Sequence, residues 1–473
     1  MQKLITENST DPPWPKPKPY TANIFKRLLR GWDSWLDLLN EWDFRIKLGE
    51  LNILGLPVFL VNDANLVRRV LVDEVDDFPK HPYTLWILEP LIGRAIFSVN
   101  GEEWAFQRRL IDQAFQIANL KRVFPSMSLA TESFLKRIKK NNNLSFLNID
   151  KEITLVTADV IIRTILSRKL EQEEANKIFQ AFSRYQKNAG RALIFRFLKL
   201  PKKLIQSTLN RDALLIRTWI QKIISNRLEE YKDRKEKFIP PRDLLDSLIQ
   251  AKDHKTNKSF SEKELIDQVC FLFLAGHETS ASSLGMTLWL IAFDSRVQNL
   301  MRKEVDSVVG KRGPNEMLGV EDIRKLQYCG AVFNETLRLY PPVTFFIRAR
   351  SQSNTNFEVD KQKSRCPLGA LLTLSPWVIH RHENHWPEPN KFIPERFLEN
   401  NLESLRRNVF LPFGLGPRKC PGASFAQQEA ILILAELIRR YNFFPVKNHI
   451  PNLIGFLTLR TNNGIYVNLS PRI

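Results

Sequence analysis

The stretch FLPFGLGPRKCPGASFA (410–426) sets one cysteine in a glycine- and proline-rich loop at the mouth of a helix. Pro421 is a favourable first helical residue, and GASFAQQEAILILAELIRRY behind it has a helical pattern. Cys420 therefore meets the unpaired N–H groups and positive dipole end of that helix, which favour a thiolate. Arg418 and Lys419 push the same way. Gly414, Gly416 and Gly422 let the backbone turn sharply or approach a flat ligand closely. A thiolate with no second cysteine nearby suits a single metal coordination bond; the plainer alternative is a structural cysteine buried in a loop. A second group is Ala275-Gly276-His277-Glu278-Thr279-Ser280, where an acid stands beside a hydroxyl. Taken alone, a mid-helix threonine bonds the carbonyl four residues back and a mid-helix glycine is a weak spot. Glu335 and Arg338 stand at i,i+3, the spacing of an ordinary surface ion pair on a helix.

Elements must carry these residues. Residues 12–20, PPWPKPKPY, read as a stiff proline-rich lead-in. A helical pattern begins near Asn23 and runs through FKRLLRGWDSWLDLLNEW, with strand candidates at 44–50 and 57–63. From there to about residue 345 the period is mostly 3.6. Ser261 and Glu264 form a capping-box signature that opens the longest helix, 262–293, which carries Ala275 to Ser280. Strands return at 345–351 and 370–376, and FLTLRTNNGIYVNL (456–469) reads as a hairpin around Asn462-Asn463-Gly464. No repeat or internal linker divides the chain. The expected fold is mainly α with a small β component: a lead-in over 1–20 and one large domain over 21–473.

Composition narrows the class. The 473 residues are 43% hydrophobic and 26% charged, which suits a globular protein with a sizeable core. Cys270, Cys329, Cys366 and Cys420 form no CxxC and no zinc-finger spacing, so reduced thiols are expected. The start has no apolar signal region, and no apolar span is long enough to cross a bilayer; a cytoplasmic location without an integral membrane anchor follows. Lys plus Arg number 70 against 51 Asp plus Glu, a net +19. That balance suits a nucleic-acid binder, a membrane-surface protein or an enzyme that docks an acidic partner, and it is spread along the chain, so charge alone does not choose.

Phe413-x-x-Gly416-x-Arg418-x-Cys420-x-Gly422 resembles the haem-binding loop of the cytochrome P450 superfamily. The resemblance implies haem b (iron protoporphyrin IX), held between the long helix and the helix after the loop, with Cys420 as axial thiolate ligand. Phe413 would pack near the sulfur, and Arg418 would reach a haem propionate. AGHETS resembles the oxygen-activation motif: Ala275 and Gly276 would let the helix backbone pass close over the iron. Thr279 would hydrogen-bond bound dioxygen, and Glu278 would supply protons. ETLRLYPP (335–342) and PERF (394–397) resemble the ExxR helix and its partner segment, so Glu335, Arg338 and Arg396 would form a buried triad serving fold and haem incorporation. Trp104 and Arg108 match a WxxxR helix and would bind one propionate, and Arg348 the other. Gln107 stands where many members have histidine. HRHENHWPEP (380–389) departs from HRDPxxWxxP, and its place before PERF makes His380, His382 and His385 ordinary surface histidines rather than a metal site.

The implied reaction is insertion of one atom of O2 into a C–H bond of a hydrophobic small molecule such as a fatty acid, alkane or terpenoid. Leu85, Trp86, Phe273, Val343, Phe345, Phe346, Phe456 and Leu457 are the expected pocket. Electrons would come from a separate acidic partner (ferredoxin, flavodoxin or diflavin reductase). The expected docking face is Arg109, Lys121, Arg122, Arg406, Arg407 and Lys419. Peroxide-driven and rearrangement enzymes of the same fold can dispense with the acid–threonine pair present here. A nucleic-acid or membrane-surface binder is the reading from outside the family; no nucleic-acid partner is expected, and no more than weak membrane-surface contact through 21–40.

Overall fold

The computed structural model describes residues 12–472, except 22, 142, 170–171, 198–200, 234–239, 314 and 399–407. The helices run α1 (Ile24–Arg30), α2 (Ala64–Arg68), α3 (Pro82–Ile92), α4 (Gly101–Ala114), α5 (Ile117–Lys140), α6 (Ile149–Leu166), α7 (Gln172–Phe197) and α8 (Lys202–Asp233). They continue with α9 (Leu244–Gln250), α10 (Glu262–Phe293), α11 (Ser295–Val309), α12 (Val320–Ile323), α13 (Gln327–Leu339), α14 (Pro376–Ile379) and α15 (Ala423–Arg440). The strands are β1 (Leu48–Ile53), β2 (Leu56–Val61), β3 (Leu147–Asn148), β4 (Phe346–Ala349), β5 (Thr355–Val359) and β6 (Gln362–Cys366). The rest are β7 (Leu371–Leu374), β8 (Tyr441–Pro445), β9 (Leu453–Gly455), β10 (Leu459–Thr461) and β11 (Tyr466–Pro471). The protein is mainly helical with a small β component.

α10 is the axis of the core. It starts where its capping box places it: Ser261 N–H donates to Glu264 Oε2 at 2.8 Å, and Glu264 N–H to Ser261 Oγ at 3.4 Å. Its hydroxyl residues Ser280, Ser282, Ser283 and Thr287 are buried along with its apolar ones, as befits a helix surrounded by others. At Gly276 a Cβ would lie 2.4 Å from Ile161 Cδ1, so this glycine lets α10 close onto α6. Thr157 of α6 adds a 3.0 Å hydrogen bond to the His277 carbonyl. Among the described residues no helix is long and apolar enough to cross a membrane.

The sheets lie at the edges, the largest in the order β1-β2-β7-β4. Two sequence expectations change here. The helical run over FKRLLRGWDSWLDLLNEW breaks into α1 and two short 3₁₀ turns, because Ser34 and Asn40 each cap a new turn with their side chains. The second turn ends at Phe44, so the first strand begins at Leu48 rather than 44. The expected C-terminal hairpin does not form either. The chain does turn at Gly464 (φ +73), but the Asn463 side chain and the Asn462 N–H bind back to residues 450–452. β10 therefore pairs with β9, and β11 with β8 and β3. The lead-in lies on the domain: the Tyr340 hydroxyl donates to the Pro13 carbonyl at 2.8 Å, and Arg381 covers the Trp14 ring at 4.9 Å.

Candidate active site

The cysteine loop is tied down at both ends. Cys420 N–H donates to the Phe413 carbonyl at 2.8 Å, and Leu411 N–H donates to His380 Nε2 at 2.8 Å. Since Nε2 accepts, Nδ1 carries the proton and donates to the Arg338 carbonyl at 3.0 Å. Burial and the Arg338 charge push His380 down to about 3, which keeps it neutral. His380 and His382 are buried rather than surface residues, and with His385 they bond backbone carbonyls at Arg338, Ile46 and Asn62. Among the described residues no histidine, cysteine or carboxylate cluster is arranged to hold a metal.

Gly416 is required by the protein itself. Its φ is +71, and a Cβ there would lie 2.1 Å from the Leu71 carbonyl oxygen. Gly422 is less constrained, its Cβ position being 3.9 Å from Cys420 Sγ. Cys420 keeps an accessible face, yet the crowding protein raises its thiol pKa; the Gly422 backbone and Arg108 pull the other way. In the chain by itself, burial thus outweighs the pull of the helix mouth. Arg108 is braced on the loop, donating to the Lys419 carbonyl at 2.6 Å and pairing with Asp112 at 2.8 Å.

Beside the loop lies a cluster of cations without counter-ions. Arg418 stacks on Trp104 at 4.5 Å and donates to the Val99 carbonyl. Arg348 is buried, bonds only its neighbour's carbonyl, and leaves Nε without a partner. Lys80, which the sequence reading missed, forms a β-bridge with Arg348 and turns its ammonium onto the Phe97 carbonyl (2.5 Å) and ring (3.7 Å). Desolvation lowers Arg418 to about 10; desolvation and the Arg418 charge lower Arg348 to about 9, and desolvation with the Arg348 and Arg418 charges pushes Lys80 well below the lysine range. Among the described residues no carboxylate forms an ion pair with any of the three, and Asp76 acts on Arg418 only at longer range. Such a cluster is stable when an anion lies among them. Lys80 has no local sequence signal; only the β-bridge brings it to Arg348.

On α10, Thr279 Oγ1 donates to the Ala275 carbonyl at 2.6 Å, the back-bond expected of any mid-helix threonine. Glu278 is turned away from it. Arg460 of β10 holds its carboxylate in an ion pair, and Thr458 Oγ1 donates to Oε2 at 3.3 Å. Burial raises Glu278, and Arg460 pulls it back. Neither partner was foreseen, since they sit almost two hundred residues downstream. Gly276 faces Ile161 and so does not provide clearance over a ligand. Gln107, fully buried, binds Gln268 at 2.9 Å and the Arg94 carbonyl at 2.8 Å, which joins α4 to α10.

The triad assembles. Arg338 spends all five N–H donors: two on Glu335 (2.7 and 2.8 Å) and three on the carbonyls of His380, Pro389 and Lys391. Arg396 Nε lies 3.3 Å from Glu335 Oε1 without hydrogen-bond alignment, and its Nη2 donates to the Glu388 carbonyl.

The expected pocket residues separate. Phe345, Phe456 and Leu457 border the main core to which Phe273 belongs, and Leu85 and Trp86 are half-buried on α3. Phe456 packs on Gly190 of α7 and lies edge-on to Trp35 at 6.1 Å. Phe273 is ringed by Phe182, Trp219 and His277. Val343 is half-buried. Phe346, the first residue of β4, joins a different core. The expected docking face is thinner than its cations suggest: Arg109 binds Asp253 at 2.5 Å, Lys121 pairs with Glu321 at 3.4 Å, and Arg122 bonds Asn119. Lys419 is exposed, and Arg406 and Arg407 lie outside the described residues.

A loop cysteine at a helix mouth, a long central helix and a buried cluster of cations that carboxylates would neutralise fit a haem-thiolate type of domain. The comparisons agree. The family model described as Cytochrome P450 matches residues 12–468. The chain is 26% identical to "Cytochrome P450 3A16" of Mus musculus over 92% of its own length and 86% of that protein's. It is 28% identical to "Cytochrome P450 CYP749A22" of Panax ginseng over 96% and 85%. The structure titled "Retinoic acid bound cyanobacterial CYP120A1" superposes with a TM-score of 0.75 at 24% identity, covering 90% of this chain and 92% of that one. The chain belongs to the cytochrome P450 family. It is an oxidoreductase of the monooxygenase class, and membership implies a cysteine-ligated haem.

Proposed function

We propose that the protein hydroxylates a hydrophobic small molecule with O2 and electrons from a separate acidic partner, and that Cys420 is the axial ligand of haem b. The observation that carries this reading is the cluster of Lys80, Arg348 and Arg418, free of paired carboxylates and adjoining the cysteine loop. A haem presents two carboxylates, and three mutually repelling cations beside a Trp104 platform fit them. When bound, the haem supplies the dioxygen activation that no side chain can. The chain's own groups do the rest. Arg108 and His380 hold the loop from opposite sides, and Phe413 packs near the sulfur. Glu278 takes protons from the solvent side and is restrained by Arg460, while Thr279 Oγ1 holds a proton on the helix face. Phe345, Phe456 and Leu457 offer apolar surface to the substrate, which favours a fatty acid, alkane or terpenoid class. Lys419 and Arg122 remain for the acidic partner. The unpaired cysteines suit a reducing, cytoplasmic setting.

Haem reconstitution tests this. The reduced protein under carbon monoxide should show the Soret band of a thiolate-ligated haem, and Cys420→Ala should lose it. A protein that takes up no haem, or a variant that keeps the thiolate band, sinks the assignment.

A further inference from the structure

We propose that Glu429, hydrogen-bonded to Ser280 between α10 and α15, is a redox-linked proton site whose carboxyl binds its proton more tightly once the haem iron has taken up an electron. The inference rests on the haem-thiolate reading above.

Glu429 is fully buried. Its Oε2 accepts from Ser280 Oγ at 2.7 Å, and its Oε1 has no partner among the described residues. An ionised carboxylate with a single neutral donor is costly in such a place, so the group holds its proton at neutral pH. Burial pushes it up to about 8, against the donation from Ser280. The charges on the elements around α15 are engaged elsewhere. On α10, Glu278 pairs with Arg460; on α13, Glu335 pairs with Arg338; on α11, Glu304 accepts from the Tyr328 and Cys329 N–H groups. On α12, Asp322 pairs with Arg312; on α5, Lys121 pairs with Glu321; on α15 itself, Glu436 pairs with Arg440. None of them contributes to the Glu429 shift.

The carboxyl touches both helices that matter to the site. Ser280 follows Thr279 on α10, and Glu429 lies about 10 Å along α15 from Gly422, by the rise of an α-helix. A unit of charge gained at the mouth of α15, about 10 Å away, would change proton affinity roughly tenfold at an effective dielectric of about 20. The step balances as follows. An external donor gives up one electron, ferric iron becomes ferrous, and a solvent proton binds the Glu429 carboxylate when it was ionised. No bond between heavy atoms forms or breaks.

The test is the midpoint potential of the haem-loaded full chain across the neutral-to-alkaline range. In the wild type it should fall by up to about 59 mV through the carboxyl's titration, the equivalent of a tenfold change in proton affinity. Glu429→Gln should remove that component. Ser280→Ala, which deletes the donor that favours the ionised form, should move it to higher pH. Haem-bound wild type and Glu429→Gln with the same pH dependence overturn the proposal, as does an unmoved window in Ser280→Ala should the glutamine variant fail to fold. A chain that binds no haem overturns both this and the reading it rests on. The infrared spectrum of the haem-free chain separates the two. A protonated-carboxyl band at neutral pH that Glu429→Gln loses supports the acid itself, and its absence from the wild type overturns the acid whatever the haem does.

Discussion

At the residue scale, the buried acid of the central helix depends on partners far away in the chain. Glu278 is restrained by Arg460, so its availability is set by a strand near the C-terminus. Arg460→Gln leaves a buried carboxyl without its cation, which then holds its proton at neutral pH. Product formed per O2 consumed should fall several-fold, and Arg460→Lys should restore most of it. Thr279→Ala should uncouple oxygen use from product in the same assay; unchanged coupling would point to the peroxide-driven route. His380 gives a pH signature. Its folded value, about 3, lies below the ordinary 6.5, so the unfolded chain binds more protons and stability falls as pH drops from 6.5 towards 3. The slope is up to about 1.4 kcal/mol per pH unit for one group. His380→Gln should lower the urea midpoint at pH 7 but flatten its fall between pH 6.5 and 5; an equally steep fall would show that His380 does not carry it. Cys420, Glu335 and Arg338 were legible because their spacing is local. Lys80 and Arg460 were not, since neither has a local signature.

At the element scale, placement and close approach decide what a side chain can do. Phe345 lies just before β4 and Phe346 opens it, and the two pack on different cores. Phe345→Ala should weaken substrate binding, seen as a smaller substrate-induced spectral shift. Phe346→Ala should cost about 1–3 kcal/mol of stability and leave substrate binding unchanged. The reverse result would place the pocket on the other face. Gly416→Ala combines a positive φ with a clash against the Leu71 carbonyl, so the melting temperature should fall by several degrees and haem retention with it. The loop's glycines were legible as a group. Their separate reasons were not, because Leu71 and Ile161 reach Gly416 and Gly276 only through packing.

At the scale of the whole molecule, the surplus of +19 is a reservoir of which part is already committed. Arg109 and Lys121 have carboxylate partners, while exposed Lys419 beside Cys420 has none among the described residues. Lys419→Glu should slow reduction by an acidic ferredoxin several-fold at low salt, with the difference shrinking as ionic strength rises. Lys121→Gln should have a smaller effect, because Glu321 already offsets its charge. Arg109→Gln should act on stability instead, by leaving buried Asp253 without its cation. Rates indifferent to salt and to Lys419 would remove the docking face from this side of the molecule.

The sequence alone determined the helical class, the bounds of α10, the cysteine loop and the ExxR pair. Each is specified within a few turns of chain, by periodicity, caps and short-range spacing. Tertiary structure alone decided which face each side chain shows and what it meets. The C-terminal strands part to different sheets, Gly416 and Gly276 face Leu71 and Ile161, and Glu278 and Glu429 acquire partners that lie more than a hundred residues away in sequence. Burial and charge are sums over neighbours, and only the packed chain brings those neighbours together.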